Sequence, residues 1–78
     1  MNKIQRKLIQ RLCDVLHDTI DDLRNIVEQE DEKLDNMPDN LNTSPTYEMI
    51  EQEKDEIEQI ADDLENTLVE LQEHTESR

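Results

Sequence analysis

The apolar residues in the two halves of this chain are spaced as mirror images of each other. Counted toward each other from the two ends, they pair so that their residue numbers add to 84, and the centre of the reflection is residue 42. The six pairs are Cys13–Leu71, Leu16–Leu68, Ile20–Leu64, Leu23–Ala61, Val27–Ile57 and Leu34–Ile50. An antiparallel pair of helices needs one residue from each helix in every core layer, so this reflected heptad spacing predicts a helical hairpin.

The signals that end and start helices fit this interpretation. Pro38 ends the first helix, because proline lacks a backbone donor and disfavours helix at the preceding residue. Ser44 can cap the second helix, and Pro45 suits its first position. We therefore expect one all-α domain over residues 1–78, an antiparallel two-helix coiled-coil hairpin. It has a helix over 3–35, an elbow over 36–44 and a helix over 45–74.

The composition agrees with long helices and with a reducing compartment. Glycine, tryptophan and phenylalanine are absent, and 38% of the residues are charged. Such a composition is also found in disordered chains, but the sustained heptad spacing argues against disorder. No apolar run is long enough to span a membrane or to serve as a secretory signal. With Cys13 as the one cysteine, we expect a cytoplasmic protein.

Charge is distributed unevenly along the chain. The formal net charge is −14, yet residues 1–11 contain four bases and no acid. An acidic surface repels nucleic acid and anionic lipid and attracts basic protein surfaces, so we expect neither direct nucleic-acid binding nor a membrane partner. The N-terminal bases allow two interpretations. They either touch phosphates, or pair locally, Arg11 with Glu73 or Glu70 and Lys7 with Glu76; the local pairs are favoured.

Two charged residues occupy the predicted seam between the helices. Glu30 and Lys54 also add to 84, so the reflection places them opposite each other. We expect a loose pair that fixes the alignment of the helices, as polar residues do at coiled-coil core positions. The alternative is that both side chains extend to water near the elbow.

A second apolar stripe lies outside this seam, mostly on the first helix. A two-helix hairpin buries only one side of each helix, so the stripe needs a cover. An isologous homodimer forming a four-helix bundle is the favoured solution, ahead of a partner-dependent hairpin or a stable monomer. The residues expected at this interface are Ile4, Leu8, Leu12, Val15, Thr19, Ile26, Ile60 and Thr67.

No set of residues predicts catalysis, a cofactor or a metal centre. Asp14 and His17 are three apart, with Asp18 and Asp21 nearby, but the second helix offers no matching motif, so we interpret His17 as a surface histidine. Cys13 falls in the seam, where a thiol packs as a small apolar group. A two-layer helical rod has no pocket with converging polar groups. We expect a protein that is not an enzyme.

The acidic outer faces suggest a second function. Carboxylates spread over a rigid rod imitate a row of phosphates, and such a rod can occupy a nucleic-acid-binding cleft. The candidate residues of this acidic face are Asp55, Asp62 and Asp63. The favoured function is a small adaptor that binds protein; the alternative is an acidic inhibitor of a nucleic-acid-binding enzyme.

The elbow carries a resemblance to a known group. Residues 35–41 read DNMPDNL, and Ser44, Tyr47 and Glu48 follow before an acidic helix. This resembles the elbow of small uncharacterised acidic helical-hairpin proteins of Gram-positive bacteria and their phages. The resemblance covers about residues 30–71. It implies a bacterial or phage setting and supplies no activity.

Overall fold

The fold is a hairpin of two long helices. A computed structural model describes residues 1–38, 40 and 44–75. Helix α1 comprises Lys3–Asp35 and helix α2 comprises Pro45–Gln72. The two helices pack against each other, and the molecule measures 59 × 14 × 13 Å. The prediction of an all-α helical hairpin is confirmed.

Side chains cap the start of both helices. Asn2 and Gln5 form a reciprocal capping box, in which the Gln5 amide donates to Asn2 Oδ1 at 2.8 Å and the Asn2 amide donates to Gln5 Oε1 at 3.1 Å. At α2, the Tyr47 amide donates to Ser44 Oγ at 3.2 Å, and Pro45 occupies the first turn. These bonds satisfy amides that have no partner inside the helix.

Helix α2 ends at Gln72, two residues before the predicted end. The backbone tightens there, since the amides of His74 and Thr75 donate to carbonyls three residues earlier, both at 3.0 Å. Such bonds are common in a last helical turn. Glu70 and Glu73 lie at this end with no basic residue in the last turn, and carboxylates are unfavourable near the negative end of the helix dipole.

The expected elbow over 36–44 is only partly described. Asn36 caps the end of α1, and Pro38 follows two residues later. The reflection centre at residue 42, and Leu41 of the resemblance, lie outside the described residues.

The core is a narrow seam between the helices. Four of the described residues are buried: Cys13 and Ile20 of α1, and Ala61 and Leu68 of α2. Half-buried apolar side chains pack against three of them; these are Ile9, Leu16, Leu64 and Leu71. All of them except Ile9 belong to the six predicted pairs, and Ile9 precedes Leu16 by seven residues and so extends the same seam. Ala61 is fully covered, since its methyl group is small enough to lie between two closely packed helices.

Candidate functional site

One long edge of the hairpin is held by ion pairs between the helices. Arg24 of α1 contacts two carboxylates of α2: its Nη1 lies 3.3 Å from Asp62 Oδ1, and its Nη2 donates to Glu65. On α1, Asp31 follows Arg24 by seven residues, and on α2, Glu58 precedes Glu65 by seven residues. Helix periodicity therefore places Asp31 and Glu58 on the same edge. We call this the charged edge.

The sequence contained a signal for the Arg24 contacts that the prediction missed. Arg24 is the one lysine or arginine within residues 12–32, and it directly follows the seam residue Leu23. Side chains next to a coiled-coil seam reach across to the neighbouring helix, where opposite charges pair. The position and the sign of the charge together therefore indicate an interhelical ion pair.

Two opposing effects act on the Arg24 guanidinium. Partial burial lowers the pKa of Arg24, and the hydrogen bonds and negative charges of Asp62 and Glu65 raise it. The net result is a pKa above the ordinary arginine value. The guanidinium of Arg24 therefore stays charged, and it can pair with Asp62 and Glu65 wherever these carboxylates are ionised.

The expected pair of Glu30 with Lys54 does not form; each residue has another partner. Lys54 Nζ lies 2.9 Å from Asp31 Oδ1 and 3.6 Å from Asp55 Oδ1. Glu30 accepts a hydrogen bond from Lys33 of its own helix at 3.0 Å. Lys54 has a long flexible stem, so its ammonium leaves the seam and reaches the carboxylates of the charged edge.

The carboxylates around Lys54 favour its protonated form. The hydrogen bond to Asp31 is the largest effect and raises the pKa of Lys54, while desolvation lowers it. The charges of Asp31, Asp55 and Glu58 raise the pKa further. Asp31 and Glu58 are like charges on facing helices, so the ammonium between them reduces their repulsion.

The opposite edge of the hairpin is apolar and exposed. We call it the apolar edge; its residues are Ile4, Leu8, Leu12, Val15, Thr19, Ile26, Ile60 and Thr67. Among its larger members, Leu12 is 48% exposed, Val15 57% and Ile60 51%. All eight side chains of the predicted second stripe are exposed in the hairpin, and helix periodicity places those of each helix on one side of it. Their role as an interface remains a prediction.

The two threonines of the apolar edge satisfy their own hydroxyl groups. Thr19 Oγ1 donates to the Val15 carbonyl at 2.9 Å, and Thr67 Oγ1 donates to the Asp63 carbonyl at 3.0 Å. A hydroxyl bonded to the preceding turn has less need of a water partner. Both threonines can therefore be covered by apolar groups at little cost.

At the basic start of α1, Arg11 does not form the expected ion pair with Glu73 or Glu70. Within residues 1–38, 40 and 44–75, none of the ion pairs involves Lys7 or Arg11. Glu76, the expected partner of Lys7, lies outside these residues. Lys7 and Arg11 instead line a shallow groove together with Ile4 and Leu8.

The residues considered for metal binding are partly brought together. His17, Asp18 and Asp21 offer ligand atoms within 4.8 Å of one another, all on exposed side chains. His17 Nδ1 lies 3.4 Å from Asp21 Oδ2. Asp14 is not part of this group. Exposed acidic residues near a histidine are common on helices, and nothing further at this position points to an ion.

The three residues proposed for the acidic face have different roles. Asp62 forms an ion pair with Arg24, and Asp55 forms one with Lys54. Asp63 accepts a hydrogen bond from Gln59 of the same helix at 3.0 Å. A groove rich in carboxylates lies closer to the elbow on α2; its lining residues are Glu48, Glu51, Gln52, Asp55, Glu56 and Gln59.

The fold and its two edges define the chain as an all-α helical hairpin with one ionic edge and one exposed apolar edge. Comparison with protein families, with curated proteins and with solved structures found no match. Neither described helix has the length and apolar character needed to cross a membrane.

Proposed function

We propose that this chain is a non-enzymatic protein-protein interaction module that acts through its apolar edge, and that its first partner is a second copy of itself. The homodimer is a four-helix bundle. On the resemblance at the elbow, it serves as a small adaptor or accessory protein in the cytoplasm of a bacterium or a phage-infected cell. The observation that carries the proposal is the exposure of the apolar edge.

The surface area of the hairpin supports a covered edge. A compact monomer of 9.3 kDa exposes about 5,000 Å², whereas the hairpin exposes 6239 Å². The excess of about 1,200 Å² is more than the roughly 800 Å² per partner of a standard protein interface. Only four described residues are buried in the hairpin, and a core this small is marginal on its own.

The two edges supply a matched pair of variants. Val15 and Val69 add to 84 and so lie at the same level of the hairpin, and they are 57% and 53% exposed. Val15 is on the apolar edge. Val69 follows Asp62 by seven residues and so lies on the charged edge. The same change, valine to glutamate, therefore tests one edge against the other.

The proposal predicts a difference between these variants in sedimentation equilibrium. Wild-type protein at micromolar concentration should have twice the 9.3 kDa monomer mass. Val15→Glu should give the monomer mass, because the dimer would bury an unpaired carboxylate, and Val69→Glu should remain a dimer. Leu12→Glu provides an independent repeat of the first result. A wild-type mass of 9.3 kDa at high micromolar concentration would contradict the homodimer.

A second candidate function is inhibition of a nucleic-acid-binding enzyme by charge mimicry. The carboxylate-lined groove of α2 supports it, because its acids lie near one another on one rigid helix. Reversal of Asp62 is a poor test, since that change also breaks the contact with Arg24. Glu51→Lys with Glu56→Lys is cleaner. Under mimicry, this pair should abolish a strongly salt-dependent interaction with a basic protein and leave the dimer mass unchanged.

A further inference from the structure

Helix α1 carries two heptad seams. The first packs on α2 and includes Cys13, Leu16 and Ile20. The second is exposed and alternates steps of four and three residues; its positions are Leu8, Leu12, Val15, Thr19, Asp22 and Ile26. Steps of four and three keep one stripe of a helix facing a partner helix over several turns. The second seam therefore has the spacing of a helix-packing surface.

The angle between the two seams matches the angle between the two neighbours of one helix in a four-helix bundle. Each position of the second seam directly precedes a position of the first, so at 100° per residue the centres of the seams are about 100° apart around α1. In a four-helix bundle each helix has two neighbours at roughly a right angle. Helix α1 is thus shaped to pack on α2 with one seam and on a second neighbour with the other. Helix α2 contributes only Ile60 and Thr67 to the apolar edge, so it is the poorer second neighbour.

We infer that the second seam of α1 packs against α1 of a second copy, with the two α1 helices antiparallel. This inference rests on the proposed function, since it specifies the orientation of the proposed homodimer. Two identical antiparallel helices are related by a two-fold axis perpendicular to them. The spacing of the second seam is compatible with an axis of this kind near residue 17. Pairs of positions that add to 34 then face each other: Leu8 with Ile26, Val15 with Thr19, and Leu12 with Asp22.

The distribution of charge favours this orientation over the parallel one. The start of α1 is basic: residues 1–11 hold four bases and no acid, although Glu70 and Glu73 of α2 lie at the same end. The elbow end is strongly acidic. Residues 28–35 contain five acids and one base, and residues 48–58 contain six acids and one base. An antiparallel dimer places each basic start over an acidic elbow end, whereas a parallel dimer brings the two acidic ends together.

Asp22 discriminates between the orientations within the seam itself. It is the one charged member of the second seam, and its side chain is exposed. In a parallel dimer, Asp22 would face Asp22 of the second copy, and like charges in a seam are destabilising. In the antiparallel dimer, Asp22 lies beside Leu12 and within reach of Arg11 of the second copy. Arg11 is exposed and forms none of the ion pairs found among the described residues.

Distances between spin labels in the full-length dimer test the orientation directly. Cys13→Ala removes the native thiol, and Asp18→Cys or Glu32→Cys then provides one label site on the outer face of α1. In the antiparallel dimer, the Asp18 site lies near the axis, and its two labels should be within about 25 Å. The Glu32 site is 15 residues from the axis, so its two labels should be about 45 Å apart, at about 1.5 Å per residue.

The three possible outcomes are distinguishable. A short distance at the Asp18 site with a long distance at the Glu32 site supports the inference. Similar short distances at both sites would overturn it and leave the proposed homodimer standing. The absence of any intermolecular distance, together with a 9.3 kDa mass, would overturn both.

A charge exchange gives a second, independent test. Arg11→Asp and Asp22→Arg should each weaken the antiparallel dimer about fivefold to tenfold, because each change brings like charges together. The double variant restores opposite charges and should return to within about twofold of the wild-type dissociation constant. Asp22→Arg in a parallel dimer only replaces one like-charged contact by another. Single variants that dimerise as well as wild type would therefore contradict the antiparallel arrangement.

Discussion

Lys54 of α2 and Asp31 of α1 form a contact between the helices in which a seam residue bonds to an edge residue. The Nζ–Oδ1 distance is 2.9 Å. Lys54 lies in the seam between the half-buried apolar residues Ile50 and Ile57, and its ammonium lies near the carboxylates of Asp31 and Asp55. One side chain thus fills part of the seam with its stem and joins the two helices with its charge.

This contact predicts a loss of stability in alkaline solution. The pKa of Lys54 is raised above its ordinary value of 10.5 in the folded chain. A raised pKa stabilises the fold below the unfolded-state pKa, and that stabilisation is lost as the pH rises through the folded-state pKa. The difference in urea midpoint between wild type and Lys54→Gln should therefore be largest below pH 10.5 and should shrink above it. A difference that stays constant to pH 12 would contradict this assignment.

Lys33 provides a matched control for the Lys54 variant. Its ion pair with Glu30 joins two residues of one helix, three apart. Exposed pairs of this kind contribute only a few tenths of a kcal/mol. Lys33→Gln should thus shift the urea midpoint less than Lys54→Gln at pH 8, although both changes remove one positive charge.

Arg24 and Glu65 should be energetically coupled. If Arg24 joins the helices through Asp62 and Glu65, then Arg24→Gln and Glu65→Gln each lower the melting temperature. The double variant should lose less than the sum of the two, because the contact can be lost only once. A high salt concentration should reduce the coupling free energy between Arg24 and Glu65, since both side chains are partly exposed. Additive effects at low salt would show that the contact does not contribute to stability.

How far the sequence predicts this molecule depends on which residues have fixed partners. The seam was readable because burial requires apolar residues at every layer, and the buried residues Cys13, Ile20, Ala61 and Leu68 are all in it. The sequence does not identify the partner of Lys54, because its four-carbon stem can reach Glu30, Asp31 or Asp55. The three-dimensional arrangement of the helices decides among them. The spacing of its residues predicts the apolar edge as a stripe, but spacing within one chain does not specify what covers that stripe.

The seam should be far more sensitive to truncation than the surface beside it. Leu68 and Val69 are neighbours in α2 that are 5% and 53% exposed. Leu68→Ala should lower the free energy of unfolding by about 2–4 kcal/mol, since it leaves a cavity between the helices. Val69→Ala should cost about 0.5 kcal/mol or less, as most surface substitutions do. Urea unfolding followed by circular dichroism gives both values, and equal losses would contradict the placement of Leu68 in the core.

The thiol of Cys13 should report on the opening of the hairpin. Cys13 is the one cysteine of the chain and is 5% exposed, so a thiol reagent can reach it only when the helices separate. The native protein should react with Ellman's reagent much more slowly than the same protein in urea. The control is Asn25→Cys in a Cys13→Ala background, an exposed position on the same helix, which should react at once. If native Cys13 reacted as fast as this control, the thiol would be outside the seam, and the core layer that it shares with Leu71 would be wrong.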